Sequence, residues 1–343
     1  MKIEIAERIH PFSHSPGAAC LVPGTCWVVE AFPTRLKIGH FELKFSLTGP
    51  VEDFTLEQDL EKNCVRVFGK AQEGFFRLRI EGSDSGFDIH AERVPTKGLP
   101  YRGIEEGVFK SKEKIHIPAE VDFHLSKTTE RLSLGNHKDQ NWDQVLKRAD
   151  LKELLPVLFF LGQKIPRIPP QPLEGTARLL EMPKDRKDLE KALIGFFKAA
   201  FKKIFIPRLV DDHHQGIAPD ESAEGNPFFL IQEGAKMIRG LFFHQNERRI
   251  KFLPSLPMSL DAGRMIQVKA AGIGEIDFEW SKKLLRRIII RATTPGEIIL
   301  ELQNELKTFR VRTSLREKGH RQSKTEPLRL EAGETYFLDL FHS

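Results

Sequence analysis

Between Asp211 and Pro227 the chain reads DDHHQGIAPDESAEGNP, its densest run of acids and imidazoles. A pair of carboxyl groups, one held protonated, is what general acid–base bond cleavage requires. Asp211, Asp212, Glu221 and Glu224 are therefore the candidate catalytic residues, with His213 and His214 as candidate contacts for a ligand's hydroxyls. The two histidines are adjacent rather than one helical turn apart, so they do not form a metal-ligand pair, and no metal is expected. A solvated polar loop is the competing reading, because neighbouring side chains point in different directions.

A second polar row lies in KIHIPAEVDFHLS, Lys114 to Ser126. Ile115, Ile117, Ala119, Val121, Phe123 and Leu125 fall at period two and share one face. His116, Glu120, Asp122 and His124 fall on the other, as candidate binding residues along a groove. The competing reading is the wet face of a sheet, and Pro118 points to an edge strand or bulge. His10, Ser13 and His14 show no oriented triad. There is no GxSxG, P-loop or GxGxxG at a strand–helix switch, so no cofactor is expected. Cys20, Cys26 and Cys64 form no CxxC and are expected to be free thiols in a reducing compartment.

The elements that position these residues are legible as blocks. Residues 1–140 consist of short apolar or alternating runs separated by Gly, Pro, Asn and Asp, the pattern of a β-sandwich. After Asn141 the period changes. Asn141 and Asp150 are helix caps, and Pro156 limits or kinks the second helix. Lys164–Pro172, KIPRIPPQP, is an ordered extended connector. Leu189, Leu193, Phe196, Phe197, Phe201 and Ile204 step at helical spacing, and a further helix is predicted from Asn226–Pro227. From Arg249 onward about seven strands return. The expected fold is mainly β with a helical middle: two β-sandwich domains, 1–140 and 248–343, joined by a short helical segment at 141–247.

The net charge of +5 over 343 residues is a mild excess. Its densest stretch, Arg310–Lys324, holds no aromatic on which a base could stack, so no nucleic-acid partner is expected and a loop between strands is predicted there. No window approaches twenty apolar residues and no leader is visible at Met1, so no membrane partner and a cytoplasmic location are expected.

One phrase near the end is more specific. Phe252-Leu253-Pro254-Ser255-Leu256-Pro257 is a double-proline turn, followed by Gly263 and then by Gly272, Glu275, Asp277, Glu279 and Trp280. This passage resembles the C-terminal β-domain of glycoside hydrolase family 95, the α-L-fucosidases. Glu233–Phe243 stands where that family carries its last barrel helix. Leu260 replaces a usual Trp, Ala271 an Arg, and Ile273-Gly274 the order Gly-Phe.

The resemblance implies carbohydrate as partner and catalysis in an (α/α)₆ barrel. Twelve helices of about 11 residues with loops of about 4 to 6 need roughly 180 to 200 residues. Asn141 to Glu247 is a little over half that, so a whole barrel does not fit between the β regions. The expected function is glycan recognition by a protein of glycoside-hydrolase descent. The alternatives are an active hydrolase using the 211–224 carboxylates and an interaction protein with no sugar role.

Overall fold

Period-two runs become strands at both ends of the chain, and the caps read from the sequence start helices between them. The computed structural model describes residues 2–126, 130–136, 138–183, 185–216 and 222–342. With 40% strand and 16% helix the protein is mainly β.

In the N-terminal region two six-stranded antiparallel sheets face each other. The first runs, edge to edge, through Phe12–Ser13, Glu52–Asp59, Cys64–Ala71, Gly74–Ser83, Gly86–Arg93 and Lys114–Pro118. The second contains Ala18–Leu21, Val28–Phe32, Arg35–Ile38, Phe41–Phe45, Leu99–Arg102 and Gly107–Phe109. Alternation puts Leu78, Ile80 and Ile89 of one sheet, and Val29, Leu36 and Ile38 of the other, fully inside. The Lys114–Pro118 strand is an outer one, as Pro118 predicts. Its ladder ends at Pro118, which has no N–H to donate. Beyond it the chain keeps its alternation without a ladder: Val121, Phe123 and Leu125 are half-buried while Glu120, Asp122 and His124 are exposed.

Helices α1 (Trp142–Arg148) and α2 (Leu151–Gly162) begin at the predicted caps. The Asn141 side chain accepts from Gln144 N–H and the Asp150 side chain from Lys152 N–H. Pro156 lies within α2 without ending it. Helix α3 (Arg186–Ala200) is shorter than its apolar stripe predicts. Phe201 turns extended to pair with Pro207, and Lys203 and Phe205 take left-handed φ. The chain thereby folds back while Phe201 and Ile204 stay buried. Helix α4 (Phe229–Phe242) follows Asn226, whose side chain accepts from Phe228 N–H. Helices α2 and α4 cross at glycine: a Cβ on Gly162 would sit 2.4 Å from Ala235 Cβ and 2.7 Å from Ile231 O.

The C-terminal region pairs a seven-stranded sheet with a four-stranded one. The seven-stranded sheet includes Gly263–Ala270, Gly274–Ser281, Leu284–Ala292 and Thr335–His342, and its outer strand is Arg131–Ser133, from ahead of the helices. All seven predicted strands are present. The basic stretch is a loop only at 313–319, because Arg310 and Arg312 belong to a strand and pair with Asp339. The double-proline phrase sits under an aromatic cluster. Trp280 stacks on Phe242 with centroids 5.2 Å apart, and Phe243, Phe252 and Phe278 pack edge-on or stacked beside it. The Trp280 indole N–H donates to Leu260 O at 3.2 Å, and the ring lies where a Gly263 side chain would be. The helix–turn–sheet passage is thus held together by rings from each of its parts.

Between the two β regions, the described residues contain four α-helices and one short 3₁₀ helix, Gly175–Leu180, and no closed ring of paired helices.

Candidate functional site

The 211–216 segment folds back on the end of α3. Arg208 donates from Nε to Ala199 O (2.7 Å) and from Nη2 to Lys198 O (2.8 Å), capping the helix carbonyls. The same Nη2 donates to Asp211 Oδ1 at 3.0 Å, and Gly216 N–H donates to Asp211 Oδ2 at 2.8 Å. Asp211 is only 3% exposed. Burial alone would push its carboxyl up. Amide N–H groups of Gly216, Gln215 and His213 and the Arg208 guanidinium outweigh that, so it sits below the ordinary carboxylate range. Such a carboxyl organises a loop; it does not hold a proton for a leaving group. Asp212, His213, His214 and Glu224 are exposed, and Glu221 lies outside the described residues.

The second candidate row divides. His116 Nδ1 hydrogen-bonds Asp88 Oδ1 at 2.9 Å, with Lys114 Nζ donating to Asp88 Oδ2 at 3.1 Å. Burial would raise the Asp88 carboxyl, but hydrogen bonds from His116 and Lys114 hold it below its ordinary value. Asp122 faces Cys26, whose thiol is pushed up to about 11 by burial and by that carboxylate. His124 N–H donates to Gly24 O, and Glu120 is exposed. This row follows the edge of the first sheet, while Asp211 lies against the end of α3, and among the described residues no hydrogen bond or ion pair joins the two candidate clusters.

The structure brings together a different set. A cleft of about 480 Å³ opens between the end of α2, the proline-rich connector, α4 and the first long strand of the C-terminal sheet. Phe159, Ile168 and Pro170 give it apolar wall and Arg167 a planar polar group, while the Gln163 amide is spent on Glu130 N–H, Glu130 O and Phe159 O. The connector is fixed by Gln232, which accepts from Ile168 N–H (3.0 Å) and donates to Pro166 O (2.6 Å). Arg167, held between these two contacts, is exposed.

At the cleft's inner side Arg239 grips Glu130 from Nε (2.8 Å) and Nη2 (3.0 Å), and Lys269 N–H donates to the same carboxylate at 2.9 Å. Glu233, the cleft's other carboxylate, pairs with Lys236 at 2.6 Å. Both acids are thus spent on cations. No sequence motif signals this cleft, since its residues come from four separated segments; only the ordered connector hints at it.

The C-terminal wall of the cleft belongs to the module that carries the double-proline phrase. Residues 244–338 match the family model of the glycoside hydrolase family 95 C-terminal domain. No curated protein matches the chain. The matched span begins within the Phe243–Asn246 strand and ends within Thr335–His342, so it covers the turn, Trp280 and most of the C-terminal β region. This family 95 module is of glycoside-hydrolase descent. Its strands supply Lys269 to the cleft, while α4, just ahead of the match, supplies Gln232, Glu233, Lys236 and Arg239.

Among the described residues no group of three or more His, Cys, Asp or Glu is placed to hold a metal ion. Nor is any helix among them long and apolar enough to cross a membrane.

Proposed function

We propose that this is a glycan-recognising protein of glycoside-hydrolase descent that binds sugar without cleaving it. The observation that carries the reading is the cleft at the edge of the family 95 module. It offers apolar surface for sugar C–H faces and the exposed Arg167 guanidinium for hydroxyls, the usual composition of a small-ligand site. Its two carboxylates are both ion-paired, whereas glycoside hydrolysis needs two opposed carboxyl groups flanking the bond. The barrel in which family 95 enzymes would carry those acids has no counterpart among the described residues between the two β regions.

The test is a screen of the full chain on an array of neutral oligosaccharides, followed by titration of the best ligand into wild type and Arg167→Ala. Arg167 is exposed and holds no hydrogen bond or ion pair among the described residues, so its truncation leaves the unfolding midpoint unchanged. Binding is expected to weaken about tenfold, the equivalent of one or two lost hydrogen bonds to a charged donor. An array without any bound glycan, or a ligand indifferent to Arg167→Ala, contradicts the assignment.

A further inference from the structure

A second, larger groove lies against the double-proline turn on another side of the family 95 module. It has a volume of about 810 Å³ and is floored by Leu253, Leu256 and the exposed Met258. Five cations line it: Arg186 and Lys187 from the first turn of α3, Lys251 from the strand Arg249–Phe252, and Lys282 and Lys283 from the hairpin tip after Trp280. All five are exposed, and none is ion-paired among the described residues. On the sheet faces, by contrast, arginines are neutralised, as in Arg291 with Asp277 and Arg310 with Asp339.

The hairpin tip adds an independent sign. Lys282 and Lys283 both take left-handed φ, 50° and 63°. A two-residue turn of this kind favours Asn-Gly, and lysine fits it poorly. The chain accepts that strain at two successive positions and presents two charges to the groove.

The groove also holds three carboxylates, Asp185, Glu301 and Glu305, against its five cations, leaving a net of +2. Asp185 is occupied as the α3 cap and Glu301 pairs with Arg249 outside the groove. Asn304 supplies a side-chain amide suited to hydroxyls, whereas the Gln303 amide is spent on the hairpin, accepting from Leu285 N–H and donating to Lys283 O. The wall contains no exposed ring on which a nucleobase could stack. A ligand that fits is therefore long, hydroxyl-rich and only sparsely anionic.

We propose that this groove binds a polyuronate, a glycan chain bearing one carboxylate per sugar, and that it is a site separate from the α4 cleft. The inference rests on the glycan-recognition reading and deepens it by naming a ligand class. A densely sulfated chain would bring more negative charge per sugar than Asp185 and Glu305 tolerate, and an acidic peptide would leave the Asn304 amide unused.

The experiment titrates the full chain with hexagalacturonate, with its fully methyl-esterified form, with a heparin hexasaccharide and with hexaglutamate. Hexagalacturonate is expected to bind, to weaken with added salt, and to lose about tenfold affinity in Lys187→Gln/Lys283→Asn, at about the strength of two exposed charge contacts. Asparagine suits the left-handed φ at 283, so the variant keeps its unfolding midpoint. Should it not fold, the salt dependence and the loss of binding on esterification read the same charge contacts in wild type. Equal binding of the esterified chain, or tighter binding of heparin or hexaglutamate, overturns the proposal while leaving neutral-glycan recognition intact. Binding of no saccharide at all overturns both.

Discussion

Arg208 Nη2 reaches Asp211 Oδ1 at 3.0 Å, with both side chains almost fully buried. This contact decides the character of the segment richest in acids and imidazoles together. The same guanidinium holds two carbonyls at the end of α3, so Asp211 is the outer member of a helix-ending device.

Replacing Asp211 with Asn leaves Arg208 buried without its counter-charge. The expected loss is about 3 kcal/mol of folding stability, the usual cost of breaking a buried pair, measured by urea unfolding at neutral pH. The pH dependence carries a sign. The folded carboxyl lies below its ordinary value of 3.8, so its stabilisation is fully present above that value and is lost as pH falls through the folded pKa. Wild type should therefore lose stability more steeply than Asp211→Asn below about pH 4, where carboxylates with such an unfolded value protonate. Parallel acid limbs for the two proteins would show that the ion pair contributes nothing.

Gly162→Ala tests the helix crossing. The added methyl would meet Ala235 Cβ and Ile231 O well inside contact distance. Backbone cannot give way as a flexible side chain does, so about 1–3 kcal/mol of destabilisation is expected, despite alanine's better helix propensity. A stabilised variant would mean that α2 and α4 are farther apart than this crossing requires. Because α2 and α4 form two walls of the cleft, glycan affinity should fall along with stability.

Trp280 ties the family 95 module to α4. Trp280→Ala removes a ring stacked on Phe242 and leaves a cavity where the double-proline turn closes, costing about 3–5 kcal/mol. Trp280→Phe should recover most of this, because a ring remains against Phe242 while the N–H to Leu260 O and the part of the indole packed at Gly263 are lost. Chemical denaturation of both variants checks the order; equal losses would place the weight on that hydrogen bond rather than on the ring.

Much of this frame is legible in the order of residues alone. Asn141 and Asp150 cap because their side chains are short acceptors ahead of apolar periodic runs. Seven of the C-terminal strands show because alternation survives wherever one sheet face is buried, while the short His320–Ser323 and Leu328–Leu330 strands do not. Other features depend on contacts that periodicity does not encode. The α3 stripe runs on past Ala200 because burial, rather than helix, is what Phe201 and Ile204 share. Asp211 reads as a free acid until the chain folds back and brings Arg208 to it. The cleft is the least legible part: Glu130, Gln163, Arg167, Gln232 and Lys269 are ordinary polar residues on four segments, and only tertiary packing makes them neighbours.

The most direct test of descent without cleavage is one paired measurement on the full chain: aryl-glycoside and oligosaccharide hydrolysis beside binding of the same sugars. Binding with no turnover above buffer is predicted, for wild type and for Asp212→Asn, Glu221→Gln and Glu224→Gln alike. Turnover by wild type that any of these three substitutions abolishes would contradict it and return the 211–224 segment to the centre of a working active site.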